Sequence, residues 1–287
     1  MYISTEINSF KAVGDNRKIL KMLKDAGFTA YDFSMFNGSL ADEILYAQDY
    51  IERAKAFRAY ADEIGLPCNQ AHAPFPTAKK GDAQYNEKTF PVIVRALEIS
   101  GILGAKVCVV HPCNDYTAEE NAELYRAFEP YARKAGVKIG VENMWNCVNW
   151  GTPEFRATSA ACSHHDDFKA HLELLPEDVF VACLDIGHAE MTGLDTSAVQ
   201  MIETLGNKLQ ALHIHDNDKV HDSHRLPYTG DVAFREILEA LEKIGYTGDV
   251  TLEADMFARK FPLELYPQAM KLMAETADYM RRTLSEK

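Results

Sequence analysis

Carboxylates and imidazoles recur in this chain near the ends of short apolar runs. His72 closes Cys68–His72 and His111 closes Val107–His111. Glu142 falls in Lys138–Asn143, Asp185 in Val179–Ile186 and Glu253 in Asp249–Asp255, while His215 closes Leu209–His215. These residue types hold divalent cations or move protons. In an extended run alternate side chains share a face. Val107, Val109 and His111 therefore point one way, as do Val181, Cys183 and Asp185, and Thr251 and Glu253. One strand-end acid is more often a cap or a hydrogen-bond partner than a ligand. Six such groups in register would repel and desolvate one another without a cation or an extensive network. Glu142, Asp185, His215 and Glu253 make the strongest set. Three carboxylates and one imidazole suit Mn²⁺, Mg²⁺, Co²⁺ or Fe²⁺ and do not exclude Zn²⁺.

The elements that must position these groups follow from periodicity. Strands are expected at Tyr2–Ile7, Ala30–Ser34, Cys68–His72, Val107–His111, Lys138–Asn143, Val179–Ile186, Leu209–His215 and Asp249–Asp255. Helices are expected over Asn16–Ala26, Leu40–Ile64, Glu87–Leu103, Ala118–Ala135, Asp166–Leu174, Thr196–Leu205, Phe234–Ile244 and from Glu264 to the end. Glycine follows many of the helical segments, as a left-handed C-cap requires. Strict alternation implies parallel strands, and eight such units close as an α/β barrel of the (β/α)8 TIM type. An open doubly wound sheet would show a Gly-rich phosphate loop after the first strand, and Asn8–Gly14 is not one. The whole chain, 1–287, reads as a single domain. Two connections are long, Met144–His165 and Asp216–Val232, and in a barrel both lie on the catalytic face.

Bulk composition narrows the partners. The chain has 287 residues and a net charge of −13, with no run of five or more basic residues. Such a surface disfavours nucleic acid. No apolar run approaches the length of a membrane span, and the N-terminus lacks the pattern of a signal peptide. The six cysteines form no CxxC pair and suggest no disulfide framework. The expected setting is the cytoplasm, without a membrane partner.

Four segments carry a family resemblance: Lys138-Ile-Gly-Val-Glu-Asn-Met144, Cys183-Leu-Asp-Ile-Gly-His188, Leu212-His-Ile-His-Asp-Asn-Asp218 and Thr251-Leu-Glu-Ala-Asp255. They resemble the metal-site segments of the xylose isomerase-like barrels, which include sugar isomerases and epimerases, ketose 3-epimerases and metal-dependent apurinic-site endonucleases. The resemblance runs over essentially all eight units. It places the metal ligands on Glu142, Asp185, His215 and Glu253, with Mn²⁺ the first choice. It also implies that Glu142 and Glu253 serve as acid and base on opposite faces of a ketose, and that His188 points at a substrate oxygen. The implied activity is isomerisation or epimerisation of a sugar, sugar phosphate or related polyol through a cis-enediolate. Relatives often assemble as dimers or tetramers, so a homo-oligomer stays open. The epimerases carry an arginine after the seventh strand, whereas this chain reads Asp218-Lys-Val-His-Asp-Ser-His-Arg225, an imperfect match.

That same stretch sustains a second reading. His72, His111, His188, Asp222 and His224 occupy the positions that hold further metals in the endonucleases, so a second metal or a multi-zinc phosphodiesterase is an alternative. The acidic charge and the lack of a basic DNA-reading loop weigh against hydrolysis of nucleic acid. A lyase or dehydratase using the same proton abstraction is another alternative, and a non-catalytic sugar-binding subunit a third. Trp145 and Trp150 could wall a sugar ring or simply pack their loop. Arg259 and Lys260 could meet a phosphate or carboxylate, or remain surface charges. His213 reads as a hydrogen-bonded core histidine one layer below His215. His164-His165-Asp166-Asp167 reads as a solvated helix start capped by Ser163 or Asp166.

Overall fold

A computed structural model of the chain describes residues 1–285. Its elements run β1 (Ile3–Thr5), a 3₁₀ segment (Ile7–Val13), α1 (Asn16–Ala26), β2 (Tyr31–Ser34), α2 (Asp42–Leu45), α3 (Tyr50–Glu63), β3 (Cys68–His72), α4 (Ala83–Leu103), β4 (Val107–Val110), α5 (Ala118–Ala135) and β5 (Lys138–Glu142). A hairpin of β6 (Asn146–Val148) and β7 (Arg156–Thr158) follows, then α6 (His165–Glu173), β8 (Phe180–Asp185), α7 (Ile186–Ala189) and α8 (Ala198–Leu205). The chain finishes through β9 (Leu209–His213), α9 (Phe234–Lys243), β10 (Val250–Leu252), α10 (Asp255–Ala258) and α11 (Tyr266–Ser285). The expected final helix reached to residue 287, and its last two positions lie outside the described residues.

Six strands pair in parallel in the order β2-β3-β4-β5-β8-β9, and β1 pairs in parallel with β10. Single bridges close the two gaps, Glu6 to Asp32 and Ile214 to Leu252. The eight parallel strands thus form a curled α/β barrel with helices outside, a TIM barrel. The main core lies between sheet and helices. Val107, Val109, Val181, Cys183 and Ala211 form a separate apolar plug inside the barrel. Since Val109 and Cys183 face the lumen, the alternation of a strand aims Asp185 at the barrel mouth, and the same face leads to His111.

Local chemistry explains most boundaries. Thr117 and Glu120 form a reciprocal capping box that starts α5, and Gly136 ends it with φ 69°. The expected helix over Leu40–Ile64 is instead two helices, α2 and α3. Arg95 of α4 donates to the carbonyls of Leu45 (2.9 Å) and Ala47 (3.4 Å), which a continuous helix would need for its own ladder. The long stretch after β5 is not wholly irregular, for it holds the β6–β7 hairpin. Phe155, Ala157, Met191 and Leu194 seal that hairpin against the loop after α7. At the start of α6 the cap is the side chain of His164, which accepts from the Asp166 amide at 3.3 Å, while Ser163 accepts from the Ala160 amide.

Candidate functional site

The strand ends gather the expected residues at one end of the barrel. His72 closes β3, Glu142 closes β5 and Asp185 closes β8, whereas His111 and Glu253 follow β4 and β10 directly and His215 lies two residues past β9. Glu142, Asp185, His215 and His72 are all buried, and Glu253 is nearly so. His188 comes from α7, whose first turn is capped by Asp185: the His188 amide donates to Asp185 Oδ1 at 2.7 Å. Asp222 and His224 come from the long loop after β9. That loop is organised by buried Asp216, which accepts from the amides of Asn217, Thr229, Gly230 and Val232 at 2.8–3.1 Å. His224 sits at φ 41°, a left-handed conformation uncommon for a side chain of this size.

Four of the site histidines share one orientation. Nδ1 of His72 meets the carbonyl of Ala73 at 2.7 Å, Nδ1 of His188 that of Asn143 at 2.9 Å, and Nδ1 of His224 that of Glu253 at 2.7 Å. His215 Nδ1 lies 3.5 Å from the Asp216 carbonyl. A carbonyl oxygen can only accept, so each Nδ1 carries a proton and each Nε2 is turned into the site. There the Nε2 atoms face one another and carboxylate oxygens. His72 Nε2 is 2.9 Å from His111 Nε2 and 3.4 Å from Glu142 Oε2. His215 Nε2 is 3.0 Å from Asp185 Oδ1 and 3.4 Å from Asp222 Oδ1. His188 and His224 each bring Nε2 to 3.3 Å from Asp222 Oδ2.

Several of these close approaches are not hydrogen bonds. Glu142 Oε2, Asp185 Oδ2, Asp222 Oδ1 and His215 Nε2 are buried with no hydrogen-bond partner. Orphaned acceptors directed at common points, with histidines fixed from behind by carbonyls, fit the outer support of a metal site. At the barrel mouth three clusters have ligand atoms all within 4.8 Å of one another: His188–His215–Asp222–His224, His72–Glu142–His213 and Glu142–Asp185–His213–Glu253. The expected quartet is therefore only partly reproduced by distance. His215 groups with the loop residues and touches Asp185, while His213 stands between the two glutamates. His213 is hydrogen-bonded, as expected, but to the site itself: its Nδ1 lies 3.1 Å from Glu142 Oε1 and 3.3 Å from Glu253 Oε2. Burial works against protonation of His213, yet Cys183, Glu253 and Glu142 beside it raise the group well above its ordinary value, so its Nδ1 can donate between the two carboxyls.

The electrostatics separate the two glutamates. Burial pushes the Glu142 carboxyl up, but His213 and His111 beside it prevail and hold it well below the usual range. Burial holds the Glu253 carboxyl well above that range, against the pull of His213 and His224 and with help from Glu142. Burial depresses protonation of His188, yet Asp185 and Asp222 overcome it and raise the group to about 10. His224 is raised by Asp222 in the same way, against burial. His111 is lowered by burial.

A cavity of about 470 Å³ opens over this site, lined in part by Phe36, Phe75, Met144 and Trp145. Trp145 does wall the cavity, and its Nε1 donates to Asp222 Oδ2 at 3.3 Å. Trp150 is 73% exposed and packs on Trp145 from outside. Arg259 reaches the cavity but is paired with Asp255 at 2.7 Å. Glu6 and Asp255 at this mouth, and the position of His213 between the two glutamates, were not indicated by the sequence. Glu6 stands at the end of the first strand as the other acids stand at theirs, and that position is the signal that could have found it. Asp255 is 3.3 Å from His224 Nδ1.

Residues 20–282 match the family described as xylose isomerase-like TIM barrel, and the chain belongs to it. It is 30% identical over 199 residues to an uncharacterized protein of Methanocaldococcus jannaschii, covering 63% of this chain and 62% of that one, less than two thirds of its length. An uncharacterized protein of Sinorhizobium fredii is 25% identical over 261 residues, 84% and 81% of the two chains. Among solved structures, D-psicose 3-epimerase from Clostridium cellulolyticum H10 with D-tagatose superimposes with a TM-score of 0.75 at 14% identity, over 98% and 99% of the chains. The 3-keto-D-glucoside 4-epimerase from E. coli gives 0.70 at 17%, over 96% and 99%. At these identities the structural likeness speaks to fold alone.

Proposed function

We propose that the protein is a divalent-metal-dependent isomerase or epimerase. It moves a proton on a sugar, sugar phosphate or related polyol through a cis-enediolate. The observation that carries this reading is the pair of buried, unpartnered carboxylate oxygens, Glu142 Oε2 and Asp222 Oδ1, that face imidazole Nε2 atoms. Glu142, Asp185, His215 and Glu253 would hold the cation, Mn²⁺ by preference over Mg²⁺, Co²⁺, Fe²⁺ or Zn²⁺. When bound, it supplies acidification of the C–H between a carbonyl and its neighbouring hydroxyl. The chain supplies the rest. Glu142 and Glu253 remove and return the proton, and His213 fixes both carboxyls. His188, held by Asn143 and Asp222, orients a substrate oxygen. Trp145, Phe36 and Phe75 exclude water from the reacting face.

A second reading is favoured by one observation, the gathering of His72 and His111 around Glu142 and of His188 and His224 around Asp222. This would be a multi-metal phosphodiesterase. One experiment separates the two. Incubation of Mn²⁺-supplemented protein with a panel of ketoses in deuterated water should place deuterium next to the carbonyl. Absence of exchange, together with hydrolysis of bis(p-nitrophenyl) phosphate, would replace the isomerase reading with the hydrolase.

A further inference from the structure

Two carboxyls that line this cavity, those of Glu6 and Asp255, stand outside the groups considered as ligands, and Asp255 is already paired with Arg259. Glu6 follows β1, is 3% exposed and lines the same cavity. It sits at the N-cap of the 3₁₀ segment, yet its side chain makes no capping bond, so capping does not explain it. Its orientation is fixed instead by two hydroxyls: Ser9 donates to Oε1 at 2.6 Å and Ser34 to Oε2 at 3.0 Å. Each carboxylate oxygen offers about two acceptor directions, so each has capacity beyond its serine. Asn8, Asp255 and Arg259 line the cavity near it.

Arg259 is the one lysine or arginine among the described residues that line this cavity. Its guanidinium is engaged by Asp255 Oδ2 at 2.7 Å and donates to the Asn8 carbonyl at 3.3 Å. A phosphate on the substrate would find this cation already neutralised, with the carboxyls of Glu6 and Asp255 beside it.

We infer that Glu6 is a substrate-reading residue that hydrogen-bonds a sugar hydroxyl beyond the reacting carbons, so that the cavity takes an unphosphorylated polyol in preference to its phosphate ester. The inference rests on the proposed function and narrows its substrate class. Burial, with Asp255, raises the Glu6 carboxyl to about 7 against the opposing effects of Ser9, Ser34 and Arg259. Near neutral pH both its forms are present. A hydroxyl can serve either one, because it both donates and accepts; a phosphate dianion beside the ionised form has no such option.

The test uses full-length, Mn²⁺-loaded wild type, Glu6→Gln and Glu6→Ala. Each is assayed with matched pairs of free ketoses and terminal phosphate esters, such as D-fructose with D-fructose 6-phosphate. Turnover gives KM and kcat, and ligand-observed NMR gives binding. Wild type should favour the free sugars by about tenfold or more in kcat/KM, and Glu6→Ala should raise KM for them about tenfold with a smaller change in kcat. Glu6→Gln, isosteric and uncharged, should fall between, and both variants should narrow the preference over the esters. A wild type that prefers the esters, or a preference unchanged in both folded variants, overturns the inference and leaves the proposed function standing. Failure of every sugar to bind wild type would remove the functional reading itself, and this inference with it.

Discussion

Gly187 lies against the imidazole of His215 so closely that a β-carbon there would overlap the ring. The glycine is what lets the turn of α7 and the end of β9 meet beside Asp185. Gly187→Ala should therefore push His215 away from Asp185 while leaving the barrel folded. Loss of a comparable supporting contact costs about 10- to 100-fold in metal affinity. Titration calorimetry with Mn²⁺ checks this, and unchanged affinity would show that His215 is no ligand.

Glu142 and Glu253 share the His213 proton donor, and both are assigned to proton transfer. Glu142→Gln and Glu253→Gln should each lower turnover by about 10²- to 10⁴-fold. Their circular dichroism and melting should stay close to those of wild type. Near-normal turnover in either variant contradicts its acid/base role.

Protonation of His188, raised to about 10 by Asp185 and Asp222, gives a signed pH effect. At pH 7 its Nε2 carries a proton, and a cation taken up there must displace it. Cation affinity at this subsite should fall as pH falls, with protons released on binding. Calorimetry in buffers of different ionisation enthalpy measures that release. Binding without proton release would mean that His188 and its neighbours Asp222 and His224 stay outside the metal shell.

Much of the architecture was legible because periodicity and capping agreed. Asn16–Ala26, Cys68–His72 and Ala118–Ala135 fold within the bounds that their patterns indicate. Leu40–Ile64 misleads because its break comes from Arg95, distant in sequence, taking helix carbonyls. The β6–β7 hairpin is too short for an alternation signal. At the site, residue types at strand ends indicated side chains that the structure gathers at one end of the barrel. What they could not convey was the placement of His213 between Glu142 and Glu253, since strand alternation orders the layers of a lumen without fixing their depth. Glu6 lies in the expected strand Tyr2–Ile7, but that strand is outside the four segments that carry the metal-site resemblance, so nothing singled the residue out.

Asp216 holds the loop that delivers Asp222 and His224, through four amide donors to its buried carboxylate. Asp216→Ala would leave those amides unpaired. A loss of about 3 kcal/mol or more is expected. Urea denaturation measures it, and a variant within about 0.5 kcal/mol of wild type would show that the loop is held by other contacts.

The central claim is that the barrel mouth binds a divalent cation through Glu142, Asp185, His215 and Glu253. Its most direct test is the metal content, by mass spectrometry, of protein purified without chelator, set beside that of Asp185→Asn and His215→Ala. The account predicts about one Mn²⁺ or chemically similar ion per chain at this quartet, largely lost in both folded variants. Wild-type protein that neither retains nor takes up a divalent ion, or variants that hold it as tightly as wild type, would contradict the account.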